Sequence, residues 1–143
     1  MPVAPLPPDQ VTVPADLGHL ARVLTMVLDY ARAAGLDPVS AVALEVAAEE
    51  VFVNIVNYAY DGGAGEVEVI CRQEPPGFLE IQFRDRGRRF NPLQKTPPAT
   101  TTDVEHRQVG GMGIPLVRAF ADQVEYQRRD GYNILTLRKR IEP

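Results

Sequence analysis

Apolar residues recur along this chain with two periods, and the switches between them mark its elements. Val11 and Val13 are separated by one polar residue, the spacing of a short strand. Leu20, Val23, Leu24, Val27 and Leu28 then share one face of a predicted helix over residues 17–34. Asp16 is placed to cap it and Gly35 to end it. Asp37 and Pro38 open a second helix, closed by Asp61, Gly62 and Gly63. Alternation returns over 66–72 and 78–85, joined by a Pro-Pro-Gly turn. In the latter, Leu79, Ile81, Phe83 and Asp85 fall on a face predicted to pack, and Glu80, Gln82 and Arg84 on a face predicted to be wet. Residues 86–109 show no period. A third helix is predicted over 114–122, then a hairpin of strands 123–129 and 133–140 about Asp130-Gly131.

The order β-α-α-β-β-loop-α-β-β predicts an α/β (α+β) fold. It is a two-layer sandwich, with helices on one face of a mixed, mainly antiparallel sheet. The chain reads as a proline-rich arm over 1–8 and one domain over 9–143, without internal repeat.

The second helix breaks its own pattern. Val42, Leu44, Val46, Val51, Phe52, Val53, Ile55 and Val56 make it apolar nearly all round, as in a buried helix. Yet Glu50, Asn54, Asn57 and Asp61 fall within a sector of roughly 60°. Burying a carboxylate and two amides without partners costs several kcal/mol. Glu50 and Asn54, four apart, point into the same space. A carboxylate beside an amide oxygen suits a hard cation such as Mg²⁺. The pattern alone fits equally two side chains that cap each other or bond a neighbouring loop. Asp61 is most simply part of the closing turn.

Bulk properties narrow the class. With 143 residues the chain is long enough for one domain with a real core. A net charge of −4 gives no argument for nucleic acid or an anionic membrane. No apolar run is long enough to span a bilayer, and the first residues lack the pattern of a signal peptide. The single cysteine, Cys71, alternates with Val67 and Val69 and reads as core. These features fit a cytoplasmic protein.

Two further segments carry chemistry. Asp85 stands at the inward end of an apolar strand, followed by Arg86-Gly87-Arg88-Arg89-Phe90-Asn91-Pro92. A buried carboxylate there can accept a bond from an exocyclic amino group. Gly87 would let a flat ring approach the backbone, and Phe90 could wall the pocket. A plain Asp-x-Gly turn is the simpler reading of the same residues. Gly110-Gly111-Met112-Gly113-Ile114 leads into a helix, where free N–H groups and the helix N-terminus favour phosphate. No Lys-Ser/Thr follows, so this is no Walker loop, and no strand leads directly into it, so it is no dinucleotide fingerprint. A Gly-rich hinge is the alternative.

Together the three segments resemble the GHKL (histidine kinase-like) ATPase superfamily, and within it the RsbW-type anti-sigma-factor serine kinases. The helix motif of those kinases, E-x-x-x-N-x-x-x-H-A-Y, appears as Glu50 through Tyr60, with Tyr58 in place of His. The turn motif, D-x-G-x-x-F-D-P, appears as Asp85 through Pro92. The glycine motif, G-G-x-G-I-x-L-V-R, appears as Gly110 through Arg118.

The resemblance implies a Bergerat-type ATP-binding fold using ATP and Mg²⁺. By it, Glu50 matches the catalytic base and Asn54 the Mg²⁺ ligand. Asn57 lines the phosphate end, and Asp85 reads adenine with Gly87 and Phe90 beside it. Gly110, Gly111, Met112, Gly113 and Ile114 lie against phosphate, and residues 93–109 form a lid. Asn133 stands where these kinases often have Thr near the base.

The implied activity is a protein-serine kinase and anti-sigma factor. Its partners would be a STAS-type anti-anti-sigma protein, a sigma factor and a second copy of itself. The alternative is a nucleotide-gated binding module without transfer. The only histidines are His19 and His106, and neither sits on a phospho-acceptor helix, which argues against a complete sensor histidine kinase.

Overall fold

Alternation turns directly into a five-stranded sheet. The computed structural model describes residues 6–61, 63–74, 77–94 and 113–141. Its strands are β1 (Asp9–Pro14), β2 (Glu66–Glu74), β3 (Phe78–Asp85), β4 (Gln123–Arg129) and β5 (Tyr132–Arg140). They lie in the order β1-β2-β3-β5-β4, and every pairing is antiparallel. Register puts Val69 opposite Phe83 and Phe83 opposite Leu135, so one face is a continuous apolar surface. Cys71 belongs to it, fully buried, and burial pushes its thiol up to about 12. It is a core residue, as its alternation predicts.

Three helices cover that face: α1 (Leu20–Ala33), α2 (Pro38–Tyr58) and α3 (Gly113–Phe120). α2 packs against both others. Its Leu44, Ala47, Ala48, Val51 and Phe52 are almost completely buried, which is why its sequence is apolar nearly all round. Asp37 caps it by accepting the Ser40 N–H at 3.2 Å, and Pro38 sits in the first turn, where no N–H is needed. α1 begins three residues later than predicted. The Asp16 carboxylate accepts the Gly18 N–H at 2.8 Å, and this tight bond closes a 3₁₀ turn over Leu17–His19 first. Leu6 and Pro7, read as part of the arm, are tied to the fold. The Leu6 N–H donates to Gln73, and the Tyr30 hydroxyl donates to the Leu6 and Pro7 carbonyls.

The other face is less wet than alternation suggests. Glu80 is 1% exposed although it lies on the face away from α1, α2 and α3. Arg72 reaches it at 2.7 Å from β2 and Arg138 at 3.1 Å from β5, and their long stems lie over the sheet. Burial pushes the Glu80 carboxyl up, but the bond from Arg72 and the two positive charges outweigh it, and its net shift is downward. Among the described residues no helix is long and apolar enough to cross a membrane.

Candidate functional site

β3 and the end of α2 converge, and the turn after β3 is fastened to both α2 and β5. Inward parity along β3 carries from Leu79, Ile81 and Phe83 to Asp85, which is 4% exposed. The ladder sets Asn133 of β5 opposite it. Asp85 Oδ1 accepts the Gly87 N–H and the Asn133 side-chain amide, each at 2.9 Å. Burial raises the Asp85 pKa above its ordinary value. The bonds from Asn133 and Gly87 and the charge of Arg128 oppose that rise without cancelling it.

The expected reason for Gly87 needs correction. Its missing side chain faces no open space for a flat ring. A Cβ there would lie 2.2 Å from the Ala59 carbonyl oxygen and 2.7 Å from the Ala59 Cβ. The glycine lets the turn approach the end of α2, where the Arg88 N–H donates to that same carbonyl at 2.8 Å. The Arg88 side chain donates to the Tyr58 carbonyl at 2.9 Å and lies 3.6 Å from Asp61. A cation on unpaired terminal carbonyls satisfies the end of a helix and its dipole. Asp61 itself has φ of 45°, the left-handed turn that closes α2. Tyr58, in the position of the usual histidine, packs its ring against Phe90 at 5.4 Å between centroids.

These elements enclose a cavity of about 30 Å³. Four of the candidate residues, Asn54, Asp85, Phe90 and Asn133, line it, and Tyr126 and Pro92 join them. The walls from Val51, Ile55, Ala59 and Leu135 are apolar. That is a mostly apolar pocket with a few convergent polar groups, the usual character of a small-molecule site. In volume it suits about one water rather than an organic ring, so a ring must push the lining side chains outward.

Glu50 and Asn57 stand on the α2 stripe outside that lining. Glu50 Oε1 and Asn57 Nδ2 are buried and have no hydrogen-bond partner among the described residues. The Glu50 pKa is raised, first by burial and then by the charge of neighbouring Glu49. The described residues hold no cluster of three or more His, Cys, Asp or Glu suited to a metal. A cation here would depend on the Asn54 oxygen together with ligand oxygens and water, a set that suits a hard ion such as Mg²⁺. Gly113 and Ile114 are the first two residues of α3. Gly110, Gly111 and Met112 lie outside the described residues, as does the lid beyond Gln94.

Tyr126 and Arg128 escaped the sequence reading. The Tyr126 hydroxyl donates to Asn133 Oδ1 at 2.5 Å, and Arg128 donates to the Gly87 carbonyl at 2.8 Å. Both share the inward parity of Val124 on β4, and register sets Arg128 opposite Asn133. That parity was the available signal.

Residues 13–139 match the family described as the histidine kinase-like ATPase domain. The chain is 31% identical over 100 residues to the serine/threonine-protein kinase BtrW of Bordetella bronchiseptica, covering 70% of each chain. It is 29% identical over 138 residues to the serine-protein kinase RsbW of Oceanobacillus iheyensis, covering 88% of this chain and 82% of that one. In fold it is similar to a crystal structure of the RsbU and RsbW domains of a Mycobacterium tuberculosis protein. The TM-score is 0.66 at 21% identity, over 96% of this chain and 33% of that one. This chain thus spans about a third of that solved chain. By the extent of these matches and the arrangement of α2, the Asp85 turn and the sheet, the chain belongs to the histidine kinase-like ATPase family, in its RsbW-type branch.

Proposed function

We propose that this chain is a Mg-ATP-dependent protein-serine kinase that doubles as an anti-sigma factor, with a STAS-type anti-anti-sigma protein as its phosphorylated partner. The observation that carries the reading is the buried, unpartnered Oε1 of Glu50, one helical turn before Asn54. An uncompensated carboxylate is costly in a purely structural helix, and a raised pKa makes it a better proton acceptor. The serine-protein kinase names of the relatives support transfer to a serine.

In this reading Asp85 receives the adenine amino group on its free oxygen, and Asn54 would hold Mg²⁺. The ion supplies charge neutralisation on the phosphates. Glu50 takes the serine proton as the serine oxygen bonds to the γ-phosphorus. The bond to the bridging oxygen breaks and ADP leaves. The resemblance assigns the glycine turn over 110–113 to the phosphates and residues 93–109 to a lid, most of which lie outside the described residues. Residues 9–143 act as one domain, and two copies pair. Because the cavity is smaller than a base, binding is coupled to movement of the side chains that line it.

The test is incubation with radiolabelled ATP, Mg²⁺ and the STAS protein encoded beside this chain. Label on a partner serine, lost in Glu50→Gln, supports the kinase. Tight ATP binding with no label on the partner would leave a nucleotide-gated binding module in its place.

A further inference from the structure

Asn133 was expected to touch the nucleotide, but its hydrogen-bonding capacity is spent inside the protein. A side-chain amide has two donors and an oxygen that accepts twice. Asn133 Nδ2 donates to Asp85 Oδ1 and to the Arg88 carbonyl, both at 2.9 Å. Both partners accept only, which fixes which end of the amide is nitrogen. Asn133 Oδ1 then accepts the Tyr126 hydroxyl at 2.5 Å and the Phe90 N–H at a longer 3.4 Å. The residue is 5% exposed, so no solvent competes.

The consequence lies in what is left over. Tyr126 has one hydroxyl proton, and Asn133 holds it, so toward the cavity that hydroxyl can only accept. Asp85 has one oxygen occupied by two donors, and its other oxygen also accepts. Four N–H groups of the turn after Asp85 are used as well, and neither Arg89 nor Arg128 lines the cavity. Arg86 donates to the Tyr60 hydroxyl, Gly87 to Asp85, Arg88 to Ala59 and Phe90 to Asn133. Asn54, which could donate, stands five residues before Ala59, about 7.5 Å along the helix from the turn.

We infer that Tyr126, acting through Asn133, is a specificity-determining residue that makes the Asp85 end of the cavity an acceptor-only surface, selecting a 6-amino purine over a 6-oxo purine. The inference rests on the reading of this cavity as the ATP site. An amino group offers two protons, which Asp85 and Tyr126 can each receive. A 6-oxo purine sets its oxygen against these acceptors, and the single N1–H that comes with it can meet only one of the two, so one acceptor stays opposed to the 6-oxo oxygen. Asn133 is a positioning residue: it keeps the Tyr126 proton away from the ligand and the Asp85 carboxylate aimed.

The experiment is direct calorimetric binding of Mg-ATP and Mg-ITP, which differ at position 6 and in the N1 proton that accompanies the 6-oxo group. Wild type should prefer ATP by about ten- to a hundredfold, since one buried acceptor stays unpaired against the 6-oxo oxygen. Tyr126→Phe removes one acceptor and should narrow that preference about tenfold, with ITP binding more tightly than it does to wild type. An unchanged ratio, or equal loss of both ligands, overturns the inference, because a merely structural tyrosine would weaken both alike. Asn133→Ser is the second variant. It releases the Tyr126 proton toward the cavity, so ITP should gain relative to ATP, and a preference still at the wild-type value again overturns the inference. Wild type that binds no ATP would sink the proposed function and this inference with it. ATP binding with unaltered selectivity in the variants sinks this inference alone.

Discussion

Gly87→Ala separates space from backbone strain in the turn that carries Asp85. Gly87 does not have positive φ, unlike Gly35, Gly77 and Gly131, so alanine can adopt its conformation. What alanine lacks is room. The new Cβ would sit 2.2 Å from the Ala59 oxygen and 2.6 Å from the Ala59 carbon, both helix backbone. Ordinary contact requires the turn to retreat from α2 by roughly 1 Å or more. Overpacking of this kind costs about 1–3 kcal/mol. The Arg88 N–H bond to Ala59 is lost with it, for about 0.5–1.5 kcal/mol. The reduced freedom of the unfolded chain returns about 0.4–1 kcal/mol. The net loss is about 2–3 kcal/mol, or a fall in Tm of about 6–12 °C for a chain this size. The same displacement carries Asp85 Oδ1 away from its Gly87 donor and moves the acceptor proposed to receive the base. Mg-ATP affinity should fall at least about tenfold, well beyond any effect of stability on a still-folded protein.

Gly131→Ala is the control. Its φ is +82° and its Cβ would meet nothing, so it costs about 1–2 kcal/mol by strain alone, in the β4–β5 turn. Thermal unfolding and calorimetry on both variants decide the matter. Gly87→Ala with ATP affinity within about twofold of wild type would refute the reasoning. So would an equal loss of ATP affinity in Gly131→Ala.

Three further outcomes follow from the contacts described above. Asp85→Asn replaces an acceptor with a donor at the base, and calorimetry should show ATP affinity down about ten- to a hundredfold; an unchanged affinity would remove Asp85 from the site. Arg88→Ala removes a half-exposed cap of α2 and should cost less than about 1 kcal/mol by chemical denaturation with ATP affinity intact, whereas a phosphate contact would show as lost affinity. Glu80 has a folded pKa below its ordinary 4.5, so its stabilisation is complete above that value and is lost as pH falls through the folded pKa. Asp85 titrates with the opposite sign, its raised pKa favouring the fold at low pH. Glu80→Gln should therefore flatten the acid side of the Tm–pH curve and cost about 1–2 kcal/mol at neutral pH, discounted because Arg72 is half exposed; an unflattened curve would mean that the arginines do not govern Glu80.

Local rules were enough for the inner face of the sheet and for α2. Period-2 spacing set Val69, Cys71, Ile81 and Phe83 inward, and register then paired them across strands. Asp37 and Pro38 marked the start of α2 through chemistry confined to one turn. The same rules misjudged Glu80, because its burial comes from Arg72, eight residues away, and Arg138, fifty-eight residues away. Alternation assigns a face; it does not say which long side chains lie across it. The start of α1 was displaced for a smaller reason, since one carboxylate can cap either a 3₁₀ or an α turn, and Asp16 takes the shorter bond.

The site divides along the same line. Asp85 and Asn133 were legible as inward polar residues because each continues an apolar parity to the end of its strand. What they do with that position depends on partners from other segments. Asn133 is saturated by Arg88, Phe90, Asp85 and Tyr126, which lie on a turn and two strands. Gly87 is required by Ala59, at the end of a helix. A motif states which residue types meet a ligand in a family, but whether an amide still has a donor to offer is a property of its whole shell. Tyr126 belongs to that shell and to none of the three motifs. On the proposed reading, base selectivity in this chain is set partly outside the residues by which its family is recognised, and substitutions in β4 should alter the nucleotide preferred while leaving all three motifs intact.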